Sequence, residues 1–457
     1  MTTEPNAAAS DVTRRDFLKG SSMASLMALL GGVPLIAPTR AAEVPAALPS
    51  GEVMKVGVIG CGQWGRDILN TLARLPSAEV VAVSDTYAAM LRRAKEAAPK
   101  AEGYEDYRQL LANEAVQAVL IATPTHQHKE IVLAALKARK HVYCEAPIAH
   151  TIEDARAIAQ ASLAAPTQLF QSGLLLRSDP QRRFLLDFVR AGAAGRTLRA
   201  AAQWHKKQSW RRTSPNADRE AELNWRLRRE TSPGLIGELG IHQMDVVHWF
   251  LDKRPEAVTG FGATIHWQDG RDTPDTEHVV YELPGGALIN FSGTLGNSFD
   301  ADYEMIYGTD AAVMLRGNKA WMFKEVDAPL LGWEVYARKD NFYKETGIAL
   351  VANATKLAAQ GDNPVEDAPY TNTPLYYALE AFVYNADVVG NAAKDFVENF
   401  GADDPKALAA HIVKESANNL PAASALDGYE ATVIALKGNE AVQKKARIAI
   451  GPELFKL

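Results

Sequence analysis

Hydrophobic positions run in two rhythms along this chain, and the change falls near Leu174. Before it, short apolar or β-branched runs alternate with stretches of helical spacing. Met54–Ile59, Val80–Ser84, Ala118–Ala122, His141–Cys144 and Leu169–Gly173 read as buried strands. Arg66–Leu75, Ala88–Ala98, His126–Ala138 and Ile152–Ser162 read as the helices between them. Strands alternating with helices of this length predict a parallel sheet covered on both faces.

Beyond Leu174 the pattern changes. One helix is expected over Pro180–Ala191, ending at Gly192. Longer alternating runs follow at Leu198–Trp204, Ala257–Trp267, His278–Leu283, Ala287–Thr294, Tyr303–Tyr307 and Ala312–Leu315. Gly285-Gly286 marks a hairpin turn between two of them. This half predicts a mostly antiparallel sheet, open on one face. Residues 211–233, rich in Arg and punctuated by Pro and Ser, read as a loop over that sheet. Helical spacing returns at Leu375–Val389 and Gly428–Lys444.

Composition narrows the function. The 457 residues are 47% apolar and 23% charged, ordinary for a globular enzyme, and the net charge of -6 argues against nucleic acid as a partner. Two cysteines, Cys61 and Cys144, cannot build a disulfide framework or a Cys-x-x-Cys metal pair. His126 and His128 are spaced i, i+2 at a helix start and lack a carboxylate cluster, so no metal is expected. The first residues carry an address: Thr13-Arg14-Arg15-Asp16-Phe17-Leu18-Lys19, then an apolar stretch Met23–Ala37 and small residues around Thr39 and Ala41. This reads as a twin-arginine signal peptide over 1–42 with a linker over 43–53. The apolar stretch is short and broken by glycines for a membrane span. The expected destination is the periplasm or beyond, with the twin-arginine export machinery as a partner.

Gly60-Cys61-Gly62-Gln63-Trp64-Gly65 follows a strand and opens a helix. The first glycine permits the tight turn, the second lets backbone approach a pyrophosphate, and the third lets helix and strand pack closely. Asp85 ends the second strand, where its carboxylate can accept from the ribose hydroxyls and repel a 2′-phosphate. No basic residue directly follows it. NAD is therefore expected in preference to NADP.

Further segments complete a resemblance. Val56-Gly57-Val58-Ile59-Gly60-Cys61-Gly62, Ala122-Thr123-Pro124-Thr125-His126-Gln127-His128, Val142-Tyr143-Cys144-Glu145-Ala146-Pro147 and Gly240-Ile241-His242-Gln243-Met244-Asp245 together resemble the glucose–fructose oxidoreductase/inositol dehydrogenase (Gfo/Idh/MocA) superfamily. The tail from Gly438 to Phe455 is similar to the family's closing helix and strand. The resemblance implies an N-terminal Rossmann domain over 54–173 and a C-terminal α/β domain over 174–457, whose open sheet makes oligomer contacts in a dimer or tetramer. It places Thr123, Pro124, His128, Glu145 and Pro147 around the cofactor. It also implies a lysine between Glu145 and Pro147, near the nicotinamide and the reacting hydroxyl, where this chain has Ala146.

Glu238, His242 and Asp245 fall on one face of a regular helix. The imidazole of His242 is suited to move a proton near neutral pH, with Glu238 as a substrate or proton partner and Asp245 as an orienter of the ring. Arg177, Trp204, His205, Lys206, Trp225 and Arg226 supply aromatic faces and cations of the kind that hold sugar rings. An exported enzyme cannot rely on free NAD. The expected activity is an NAD-dependent oxidoreductase acting on a sugar, cyclitol or derivative, with the cofactor tightly bound and recycled in place. An NAD-dependent glycoside hydrolase or lyase, working by transient oxidation and elimination, is the alternative. A non-catalytic protein that holds NAD is the third reading.

Overall fold

The computed structural model describes residues 53–331, 334, 339–342, 345–350 and 370–457. The expected signal peptide, and the linker up to residue 52, lie outside the described residues.

The first half of the described chain winds strand and helix in turn: β1 Met54–Ile59, α1 Gln63–Leu72, β2 Ala78–Ser84, α2 Ala88–Ala97, β3 Glu102–Tyr104, α3 Tyr107–Ala112, β4 Ala118–Ile121, α4 His128–Lys137, β5 His141–Cys144, α5 Ile152–Leu163 and β6 Phe170–Ser172. The strands lie in the order β3-β2-β1-β4-β5-β6, all parallel. The order reverses between β1 and β4. There the strand ends splay apart and leave a crevice at the topological switch point. The strands are near-continuous apolar runs because helices cover both faces, and all four residues of β4 and of β5 are buried.

The chain continues through α6 Pro180–Arg190, β7 Thr197–His205, α7 Ala217–Leu223 and α8 Ile241–Leu251. The strands β8 Ala257–Ala263, β9 Thr276–Glu282, β10 Leu288–Thr294, β11 Asp302–Gly308, β12 Ala311–Arg316, β13 Lys319–Lys324, β14 Lys339–Phe342 and β15 Glu345–Ala349 follow. Helices α9 Pro374–Phe400, α10 Pro405–Glu415 and α11 Ala425–Lys444 and the short strand β16 Ile448–Ala449 complete it. The second sheet runs β14-β15-β13-β12-β11-β7-β10-β9-β8-β16 and is antiparallel except at β7–β10. Gly285 and Gly286, both at positive φ, turn β9 into β10 as the hairpin signal predicts. Helices α8 and α11 pack on one face. On the other, Phe261 and Leu288 stand exposed at alternating positions.

The pattern predicted most elements within a few residues but passed over α3, α10 and β13–β15. Residues 211–233 are not simply loop: they hold α7, capped by the Asn216 side chain, which accepts from the Arg219 N–H. The span 174–457 also serves two cores. Leu375, Leu379, Phe382 and Ala386 of α9 pack with Ile68, Leu69 and Tyr143 under the first sheet.

Candidate active site

A cleft of about 1840 Å³ runs along the switch point and between the two sheets. Gly60 turns the chain out of β1 at φ +90°, and a Cβ there would lie 2.7 Å from the Ala122 carbonyl. A Cβ on Gly65 would meet the Gly60 oxygen at 1.9 Å, so β1 and α1 can approach as they do only with hydrogen at that position. At Gly62 the same test finds open space, which leaves the N-terminus of α1 open to a phosphate. Asp85 accepts from the Cys61 and Tyr87 N–H groups, each at 2.8 Å, and lines the cleft. Burial raises its carboxyl against those bonds. The Thr123 hydroxyl is buried in the cleft wall without a partner. Bare backbone at a helix N-terminus, an acid at the end of β2 and an unspent hydroxyl fit a dinucleotide.

Two arginines from the other half of the chain cross this groove. Arg212 donates to the Gln63 side chain at 3.0 Å. Arg219 donates to the Thr86 carbonyl at 2.6 Å and to its hydroxyl at 3.2 Å, with its guanidinium 5.4 Å from the centre of the Tyr87 ring. Sequence reasoning missed both, because their partners lie more than a hundred residues away.

Further in, Trp64, Glu145, Ala146, Trp204, Lys206, Trp225, Arg226, Glu238 and His242 line the cleft. Burial lifts the Glu145 carboxyl to about 7, against the pull of the Trp64 indole beside it. Ala146 packs against Leu174, Ile241 and Ala431, so the wall is apolar where the family's lysine would stand. Glu238 is buried and receives Arg226 Nε at 3.1 Å, the Thr125 hydroxyl at 3.1 Å and the Ser232 hydroxyl at 3.4 Å. Burial still holds its carboxyl above the ordinary range. The Arg226 guanidinium lies over Trp225, 4.6 Å from the ring centre. The Nδ1 atom of His242 is buried with no hydrogen-bond partner among the described residues. Burial alone lowers this imidazole to about 4, so the ring is neutral at physiological pH.

Several expected site residues lie elsewhere. Asp245 does not orient His242: it takes a bidentate contact from Arg177, with the shortest distance 2.8 Å. Arg177 also donates to Asp427 at 2.6 Å. Asp245 and Arg177 face a second, smaller cavity instead of the cleft, so Arg177 is not a substrate residue there. His242 and Asp245 share the regular helix α8, and it is Arg177 that occupies the Asp245 carboxylate; a wide i→i+5 turn at Ile236–Gly240 breaks the helical phase only between Glu238 and His242. His205 points to the opposite sheet face from Trp204, as strand alternation demands, and contacts Ser292 and the Phe299 carbonyl. The ring nitrogens of His128 lie 3.0 Å from the Pro147 and Thr123 carbonyls, and its one N–H donates to one of them. It lines the cleft and links the loops of Thr123 and Pro147. Among the described residues no group of three or more His, Cys, Asp or Glu is placed to hold a metal ion.

A parallel sheet with a dinucleotide turn, joined to an antiparallel sheet whose packed helix α8 presents a histidine to the same cleft, defines a two-domain nicotinamide-dependent oxidoreductase. The sequence comparisons agree. Residues 54–170 match the model of the oxidoreductase family with an NAD-binding Rossmann fold, and residues 183–314 match the GFO/IDH/MocA C-terminal domain. An inositol 2-dehydrogenase of Rubrobacter xylanophilus is 30% identical over 56% of this chain and 69% of its own length. A myo-inositol 2-dehydrogenase of Thermotoga maritima is 25% identical over 87% of this chain and 98% of its own. Among solved structures, a levoglucosan dehydrogenase in complex with NADH shares the fold, with a TM-score of 0.63, 18% identity and coverage of 87% of this chain and 99% of that one. The chain belongs to the Gfo/Idh/MocA family of NAD-dependent oxidoreductases.

Proposed function

We propose that this protein is an exported oxidoreductase that acts on a sugar, cyclitol or sugar derivative and keeps its NAD through the catalytic cycle. The observation that carries the reading is the pair of arginine straps. Arg212 and Arg219 tie the second domain to Gln63 and Thr86 across the cofactor groove, so dissociation requires breaking contacts between domains. The twin-arginine signal, whose route carries folded proteins, supports loading before export to the periplasm. The exposed sheet face, with Phe261 and Leu288 on it, is the surface on which a second copy would pair in a dimer or tetramer.

In this reading His242 is the base. Its neutral imidazole takes the proton of the reacting hydroxyl, and its burial excludes competing water. Glu238, fixed by Arg226 and Thr125, accepts from a neighbouring hydroxyl and orients the ring. Trp204 and Trp225 offer apolar faces, and Lys206 and Arg226 donate to oxygens. NAD, held by the Gly60–Gly65 turn, Asp85 and Thr123, supplies the hydride acceptor and donor.

Ala146 favours a second reading. Without the family's ammonium, an oxidised sugar lacks one stabilising donor, which suits a transient intermediate better than a released product. Oxidation at one carbon acidifies the neighbouring C–H, elimination cleaves a glycosidic bond to leave an unsaturated ketone, and returned hydride restores the hydroxyl: a redox-neutral hydrolase if water first adds to the double bond, a lyase if it does not. A non-catalytic NAD-holding protein is the outcome if neither chemistry is found. Native mass spectrometry of the exported protein, followed by incubation with sugars and glycosides, separates these. Trapped NAD with NADH formed on one sugar supports the first reading. Cleaved glycoside without net NADH supports the second, and an empty mature protein refutes retention.

A further inference from the structure

The cleft continues well past His242. Its floor is the edge where the strands of the second sheet end. Trp204, near the end of β7, pairs with Asp302 at the start of β11; β12 lies next, and β13 begins at Lys319. Neighbouring strands lie about 4.8 Å apart, so the three steps from β7 to β13 carry this edge roughly 14 Å sideways. Residues from both ends line one continuous space. Leu176, Asp179, Arg182 and Tyr377 line the same space. This is far more length than one sugar ring at His242 occupies.

The far end is a built polar site. Arg182 lines it although only 4% exposed. It donates to Asp179 at 3.2 Å, to the Gly317 carbonyl at 3.0 Å and to Glu304 at 3.2 Å. Those three bonds fix the guanidinium before any ligand arrives, and its buried Nε–H has no partner among the described residues. Across from it, the Asp302 carboxylate and the Lys319 ammonium have no hydrogen-bond or ion-pair partner among the described residues. The lining charges of Asp179, Asp302, Arg182 and Lys319 cancel, which gives a phosphate or carboxylate ligand no advantage. Donors and acceptors beside the Tyr377 ring match a neutral polyol, whose hydroxyls both give and accept.

We propose that this end of the cleft is a second sugar subsite: the substrate is a glycoside or oligosaccharide with its reacting ring at His242 and its next ring between Arg182, Lys319 and Tyr377. The inference rests on the carbohydrate reading above.

The test uses the NAD-loaded, full-length protein and titration calorimetry. Methyl glycosides of glucose, galactose and N-acetylglucosamine are compared with disaccharides that carry the same terminal ring. The disaccharide is expected to bind at least about tenfold tighter than its methyl glycoside. Lys319→Ala combined with Asp302→Asn should remove that gain, a loss of about tenfold for the disaccharide, and leave methyl glycoside binding unchanged. Equal affinity of the two ligands, or equal weakening of both by the variant, overturns the subsite while the carbohydrate reading stands. No binding by any saccharide overturns both.

Discussion

The Thr125 hydroxyl, at the rim of the first sheet, donates to the Glu238 carboxylate, in the turn that leads into α8, at 3.1 Å. An acid presented by one domain is therefore aimed by the other. The Arg226 guanidinium on the second oxygen completes the clamp. Thr125→Val keeps the shape of the side chain and removes the donor. The expected cost is about 1 kcal/mol of stability, with kcat reduced and NAD content unchanged. Thermal unfolding, turnover and bound nucleotide measured on one preparation check this. A loss of NAD would mean that Thr125 serves the cofactor instead of Glu238.

Buried titratable groups make opposing demands on the stability of this fold. Burial lowers His128, His141, His242 and His248 to about 4. It lifts Glu145 and Glu304 to about 7 and Glu277 to about 8. A histidine with a depressed pKa destabilises the fold as pH falls from 6.5 towards 4. A carboxyl with a raised pKa contributes stability in full below about 4.5, which is lost as pH rises through 7 to 8. Between 4.5 and 6.5 the two sets nearly cancel, and above 6.5 only the carboxyls act. Stability is therefore expected to be flat from pH 5 to 6.5 and to fall between 6.5 and 8. The Glu277 carboxyl is buried, has no ion-pair partner among the described residues and only the Ile236 backbone N–H to offset its burial, so Glu277→Gln should remove about 2 kcal/mol of that alkaline decline. Denaturant titrations at fixed NAD across this range decide it, and an unchanged slope in the variant would exclude Glu277 as a source.

What could be read along the chain was local. The Gly60–Gly65 turn needs hydrogen at Gly60 and Gly65, and Asp85 sits where β2 must end, so the cofactor groove follows from neighbours in sequence. The parallel sheet was legible because buried strands such as β4 and β5 are apolar throughout. The geometry around His242 was less so. Its i+3 neighbour Asp245 looks like an orienter on a regular helix, yet Arg177, far away in sequence, claims it and bridges it to Asp427. The wide turn at Ile236–Gly240 leaves no signature that hydrophobic periodicity reports. Arg219 sits in a segment that looks like solvated loop, and its contact with Thr86 exists only once the two halves of the chain meet.

Those straps carry the claim of cofactor retention. Arg212→Ala with Arg219→Ala removes the contacts to Gln63 and Thr86 but leaves the glycine turn and Asp85 in place. The variant should fold, bind NAD when it is supplied, and lose most of it on dialysis, while the parent protein stays loaded. Nucleotide released by denaturation after timed dialysis measures the difference. Equal retention would show that the groove itself holds the cofactor.

The burial of His242 fixes the pH at which a base at this position fails. An exposed histidine would lose activity as pH drops through 6.5, its ordinary value. Here burial lowers the imidazole to about 4, so the neutral, proton-accepting form persists through pH 5. The acid limb of kcat should fall near pH 4–5, read in the interval before the protein unfolds. His242→Ala removes the acceptor and should lower kcat by about 10²- to 10⁴-fold, with NAD still bound because the groove is untouched. His242→Gln preserves polarity and volume but cannot take a proton at these pH values, so it should be as slow as the alanine variant. Near-normal turnover in His242→Gln would show that the ring positions the substrate and that the base lies elsewhere in the cleft. Glu145 is the next group to replace in that case, because burial lifts its carboxyl to about 7 and its acid limb would appear about three pH units higher than the limb set by His242 at about 4.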